Sequence, residues 1–143
     1  MGTGSELVVR AGQSLGQLIA AGHFDYIDPY LLAPQFVCWR SQASRGEPLI
    51  ISPRGISTTN EVLDLLQVKP ARPADLAELL TYIATWGETV AGRTLVGLGW
   101  FWISHGGTRH AAAVVNGRRK RRLLLEPTDG VWAESDLFLA LDL

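Results

Sequence analysis

The sequence predicts an α+β fold, an antiparallel β-meander of about four to five strands with two main helices packed on one face. Three observations lead there. Between residues 58 and 86, apolar side chains recur three and four apart, the helical period. After Gly92 the pattern changes to long runs of Val, Leu and aromatics. Gly106-Gly107 and Asn116-Gly117 then supply two hairpin signals within that stretch. A length of 143 residues with 47% hydrophobic and 19% charged residues suits one folded domain, residues 1–143, and excludes a disordered chain.

The elements follow in order. Glu6 to Arg10 reads as a short strand closed by Ala11-Gly12. Ser14 and Gln17 have the spacing of a capping box, opening a short helix with Leu15, Leu18 and Ile19 on one stripe and Gly22 as its left-handed stop. Asp28-Pro29 is an N-cap followed by proline at the first helical position, giving one turn through Leu32 that Pro34 ends. Residues 40–47, small and polar, read as a loop before a strand from Pro48 to Ser52. Thr58 and Glu61 make a second capping box, for a helix to about Gln67 with apolar Val62, Leu65 and Leu66 spaced three and four apart. A helix starting at Pro73 reaches about Trp86, with Leu76, Leu79, Leu80 and Ile83 on one face and Gly87 as its stop. Strands at 94–105, 108–115 and 118–125 form the meander, and Leu137 to Leu141 a final strand.

Two tight turns would fix the register. Trp100 would oppose Ala113, which opposes Lys120, and Trp102 would oppose Ala111, which opposes Arg122, placing each ring near a cation across a small residue. Phe101, Ala112 and Arg121 would occupy the other face, kept bare at Gly97 and Gly99 for a close-packed helix.

The charge balance nominates a surface. Net charge is −1, yet Arg118, Arg119, Lys120, Arg121 and Arg122 are consecutive, and removing those five cations leaves −6. A basic hairpin beside Trp100 and Trp102 suits a phosphate polyanion, through Arg forks and ring stacking, or an acidic protein partner. A solvated hairpin end whose charges block edge aggregation is the plainer use. The acidic remainder opposes broad nonspecific DNA binding.

No catalytic constellation emerges. His105 and His110 would lie diagonally on one face, but a catalytic zinc takes three protein ligands and spacing indicates no third. Cys38 beside Trp39 reads as a small buried hydrophobe, since nothing near it lowers a thiol pKa. Asp25, Asp28, Asp129, Glu134 and Asp136 fall in turn-like segments, as caps or turn formers. No Gly-rich phosphate loop or Cys-pair zinc motif occurs, so neither metal nor cofactor is expected. No run of about 18 apolar residues predicts a membrane span. A start without a signal-peptide core and a single cysteine point to a reducing, cytoplasmic setting. The leading expectation is a non-enzymatic binding or adaptor domain using the basic hairpin. The alternatives are a nucleic-acid-binding protein and a small enzyme using Cys38 with His105 or His110.

Four segments, LGQLIAAGHFDYIDPYL, RPADLAELLTYIATW, TLVGLGWFWIS and LLLEPTDGVWAESDLFLALDL, together resemble an uncharacterised family of small bacterial proteins. The shared features are Ala21 to Ile27, the Arg-Pro-Ala-x-x-x-Glu-Leu-Leu stretch from Arg72 to Leu80, Leu98-Gly99, and Trp132 with Phe138-Leu139-Ala140. The resemblance implies a bacterial or phage origin and one compact domain. It implies no activity or site residue, and the basic run lies outside the pattern.

Overall fold

A computed structural model describes residues 6–55, 57–68 and 70–142. In chain order it contains β1 (Leu7–Val9), α1 (Leu15–Ala21), β2 (Tyr26–Ile27), two single-turn 3-10 helices (Pro29–Leu32 and Pro34–Phe36), β3 (Ser44–Gly46), β4 (Pro48–Ile51) and β5 (Ser57–Thr58). Then come α2 (Thr59–Val68), β6 (Ala71–Pro73), α3 (Leu76–Trp86), a 3-10 turn (Gly87–Val90), β7 (Arg93–Ile103), β8 (Arg109–Asn116), β9 (Arg121–Pro127), β10 (Val131–Trp132) and β11 (Asp136–Asp142).

The α+β class stands, but the sheet is larger than a meander. Seven strands run β2-β9-β8-β7-β11-β4, with β6 also paired to β11. β7, β8 and β9 are antiparallel neighbours as expected. β2 joins β9 in parallel, and β11 lies between β7 and β4, parallel to the first and antiparallel to the second. The reason is burial. Leu137 to Leu141 is an unbroken apolar run, and all five residues are buried. Such a strand needs cover on both faces, which a central position supplies.

The helices are divided accordingly. Leu139 and Leu141 of β11 join Leu95, Val114, Leu123 and the inward faces of α1 and α3 in one core. Phe138 and Ala140 join Val96, Leu98, Ala113, Trp132 and the α2 residues Val62 and Leu66 in another. The two main helices therefore cover opposite faces of the sheet, not one face. Alternation along the strands makes this necessary, since both faces are apolar.

Both predicted capping boxes at the first two helices form. Gln17 N–H donates to Ser14 Oγ at 3.1 Å while Ser14 N–H donates to Gln17 Oε1 at 2.8 Å. Thr58 and Glu61 exchange the same pair of bonds. The third helix starts later than Pro73. Pro73 belongs to β6, and Asp75 caps α3 in a capping box with Glu78. The polar stretch 40–47 contains β3, an edge partner for β1.

The glycines after α1 and α3 are right-handed, with φ of −84° at Gly22 and −53° at Gly87. What they provide is space. A Cβ on Gly22 would meet the Phe24 ring at 2.4 Å, and one on Gly87 would meet Arg121 Nη2 at 2.6 Å. The left-handed residue after α1 is His23, at φ 52°. His23→Gly is thus expected to stabilise the fold by about 1 kcal/mol, read as a higher denaturation midpoint.

Candidate functional site

Both hairpins differ from tight two-residue turns, and this moves the basic run. In the first, Ser104 N–H donates to Thr108 C=O at 3.0 Å and Gly107 N–H to Ser104 C=O at 2.9 Å, with Gly107 at φ 84°. The longer loop shifts the register by one residue, so Trp102 pairs with His110 instead of Ala111. Trp100 falls in an irregular stretch of β7 between Gly97 and Phe101. There the backbone of Pro73–Ala74 approaches so closely that a Cβ on Gly99 would lie 2.5 Å from the Pro73 carbonyl. The bare glycine face thus admits the end of β6 at Gly99 and the first turn of α3 at Gly97, where a Cβ would lie 3.5 Å from Leu79 Cβ.

In the second hairpin, Asn116 and Arg121 are the last paired residues, and Gly117 to Lys120 form the loop. Asn116 cannot serve as a turn residue because its side chain is buried and engaged. Its Nδ2 donates to Gly87 C=O at 2.7 Å, and its Oδ1 accepts from Arg121 Nε at 3.0 Å. Arg121 Nη1 donates to the Gly22 carbonyl at 2.5 Å. Asp25 and Arg121 also bond backbone to backbone and backbone to side chain, both at 2.8 Å. Neither α1 nor α3 carries a basic residue in its last turn. Arg121 brings a cation to the carbonyl end of α1, where the helix dipole favours one. Through Asn116 it also links the loop to the end of α3.

The five cations therefore divide. Arg121 is half-buried structure. Arg118, Arg119, Lys120 and Arg122 are exposed, and none of the four is in a salt bridge among the described residues. The predicted tryptophan rows do not form. Trp100 and Trp102 are half-buried against the core that α1 and α3 share. Trp102 packs in tilted contact with Tyr30 at 4.7 Å and His110 at 5.3 Å, and Trp100 lies 6.2 Å from Phe36. His110 and Asn116 are six strand residues apart, roughly 20 Å, so the tryptophans and the basic loop occupy opposite ends of the sheet.

The aromatic beside the loop is Tyr26. It is 47% exposed and sits opposite Arg122, which is opposite Val115 on its other side. Two clefts flank the loop and share Asp25, Gly117, Arg119 and Lys120. One, of about 430 Å³, also has His23, Thr85, Glu88 and Arg118 in its walls. The other, of about 610 Å³, also has Tyr26, Val115 and Arg122. Tyr26 could have been found in the sequence only by recognising the two-residue strand Tyr26–Ile27. The far end of β9 has the opposite sign. There burial, followed by Asp136 and Asp28, pushes the Glu126 carboxyl above its usual range.

Cys38 is exposed, contrary to the expected burial, because it follows a surface 3-10 turn. His105 is exposed in the first hairpin, and His110 Nδ1 lies 3.1 Å from Thr108 C=O. No hydrogen bond joins Cys38 to either histidine among the described residues. Those residues contain no cluster of three or more His, Cys, Asp or Glu side chains placed to hold a metal. Nor do they include a helix long and apolar enough to cross a membrane. Comparison of the chain with family models, curated proteins and solved structures returns no match.

Proposed function

We propose that the chain is a non-enzymatic binding domain that takes a polyanionic partner on the β8–β9 loop. The observation that supports this reading is the division of the basic run. Arg118, Arg119 and Lys120 on the loop and Arg122 on β9 are exposed without carboxylate partners among the described residues, and the base of the loop is held by the fifth cation, Arg121. A hairpin end kept charged only for solubility has no need of such an anchor. A loop held at its base loses less entropy when its cations engage phosphates, which favours binding. Tyr26, one strand over, offers a ring for stacking an unpaired base.

The acidic remainder of the surface confines contact to this end of the sheet. Single-stranded nucleic acid, whose phosphates and bases are both accessible, fits that confined site best. The apolar Tyr26 and Val115 in the second cleft favour a second reading, an acidic protein segment with a hydrophobic anchor.

Titration of a single-stranded oligonucleotide and of an acidic peptide against the wild type and Arg118→Glu/Arg119→Glu/Lys120→Glu tests both. The charge-reversed loop is expected to abolish oligonucleotide binding with an unchanged melting midpoint. Equal binding by wild type and variant would overturn the proposal.

A further inference from the structure

We propose that Asp25 selects for ribose at the β8–β9 loop, so that the strand taken there is single-stranded RNA and not DNA. The inference rests on the nucleic-acid reading of that loop and adds which sugar it takes.

The order of groups along the sheet carries it. Gly117 to Lys120 form the loop, and Arg121 and Arg122 follow on β9. Asp25 is bonded to Arg121, and Tyr26 is level with Arg122 on the parallel strand β2. From the loop down the sheet, the cations come first, then the Asp25 carboxylate, then the Tyr26 ring, at steps of about 3.3 Å per residue. A nucleotide has its parts in the same order: phosphate, sugar, base. A strand with a phosphate on Arg119 and Lys120 and a base on Tyr26 has its sugar level with Asp25.

The carboxylate is fixed in place. Asp25 N–H donates to Arg121 C=O and Arg121 N–H donates to Asp25 Oδ2, both at 2.8 Å. It thus continues the backbone ladder between β2 and β9, and it lines both clefts that flank the loop. Among the described residues, Oδ1 has no hydrogen-bond partner and neither oxygen is in a salt bridge. The Arg121 guanidinium is turned away, to Gly22 C=O and Asn116 Oδ1.

The negative charge of Asp25 therefore serves no contact within the described chain. An asparagine oxygen would accept from Arg121 N–H as well. Beside Arg119 and Lys120 a carboxylate also repels phosphate, which a site for phosphate alone would avoid. It favours a part of the ligand that donates, since an O–H donor makes a bond to a carboxylate about twice as strong as to a neutral acceptor. At the sugar that donor is the 2′-hydroxyl, the group by which a protein tells RNA from DNA.

Titrations of oligouridine, oligodeoxyuridine and 2′-fluoro-oligodeoxyuridine of one length read the result. The three share base and phosphates and differ only at the 2′ position, and the fluoro sugar keeps the pucker of RNA without its donor. The wild type is expected to bind oligouridine about tenfold tighter than either of the others. Asp25→Asn keeps the shape and the bond from Arg121 N–H. It is expected to weaken oligouridine binding and to strengthen oligodeoxyuridine binding, bringing the two within about threefold. A purely structural role for Asp25 would move both in one direction. Equal wild-type affinity for the three strands would overturn the inference and leave the polyanion reading standing. A carboxylate that meets the base edge gives that result, because all three carry the same base. Asp25→Asn that keeps the full preference for oligouridine would overturn it too. Binding to none of the three at low salt would overturn both the inference and the reading it rests on. The wild-type series involves no substitution, so it holds even where Asp25→Asn misfolds.

Discussion

Glu78→Ala is expected to cost about 3 kcal/mol of folding stability, the upper end for leaving buried donors without their acceptor, since the Arg72 side chain stays 38% exposed to solvent. The Glu78 side chain is 1% exposed and accepts four hydrogen bonds. Arg72 Nη1 and Nη2 donate at 2.8 and 2.5 Å, Ser44 Oγ at 2.8 Å and Asp75 N–H at 2.9 Å. One carboxylate thereby joins β3, β6 and the start of α3. Without it, the Arg72 fork and the Asp75 amide lose their acceptor. Glu78→Gln keeps the shape but not the charge and is expected to fall between.

Two opposing effects act on that carboxyl. Burial acts to raise its pKa, but the donors from Arg72, Asp75 and Ser44 outweigh it, and the net shift is downward. A lowered folded value contributes stability that is present above the ordinary glutamate pKa and lost as pH falls through the lowered one. The wild-type advantage over Glu78→Gln is therefore expected to be full near neutrality and to vanish at strongly acid pH. Asp75, raised chiefly by burial and in part by the Glu78 charge itself, acts in the opposite sense, and Glu78→Gln removes that second part. Denaturant midpoints of the two proteins across that range check the sign.

Arg121→Ala is expected to cost about 3 kcal/mol, whereas Arg119→Ala changes stability by about 0.5 kcal/mol or less. The residues are two apart in a run of like charges. Arg121 holds Gly22 C=O and Asn116 Oδ1, and its loss leaves the buried Asn116 oxygen without a donor. Arg119 is exposed and holds nothing among the described residues. Arg121→Lys is expected to recover only part of the loss, since an ammonium cannot reproduce the two-sided reach of the guanidinium. Gly87→Ala is expected to resemble Arg121→Ala in direction, because its methyl would occupy the space of Nη2. Thermal denaturation of the four variants checks this order.

Much of the fold is legible wherever local chemistry decides. The capping residues Ser14, Asp28 and Thr58 start their helices as their side-chain oxygens dictate. The apolar stripe of α3 is buried at Leu76, Leu79, Leu80 and Ile83. What fails is decided by partners distant in sequence. Asn116-Gly117 has the composition of a tight turn, but Asn116 is drawn inward by Gly87, 29 residues earlier. Its engagement lengthens the loop and separates the cations from the tryptophans. The Gly106-Gly107 turn miscounts by one residue, and one residue suffices to change which side chains share a face.

The candidate site was legible in part. Clustering of charge along the chain marks the loop, but nothing local distinguishes Arg121 from its neighbours, because its partners lie just after α1 and on β8. The central place of β11 was available in principle from its unbroken apolar run, read as a strand covered on both faces.

The salt dependence of oligonucleotide binding tests the central claim most directly. Four exposed cations engaging phosphates of a single strand predict a slope of log K against log salt of roughly −3, with each neutralised loop residue reducing it by about 0.7. Arg121→Ala, compared where it remains folded, is expected to leave the slope unchanged. Binding that is absent at low salt, or a slope unaffected by replacing Arg118, Arg119 and Lys120, would contradict the account.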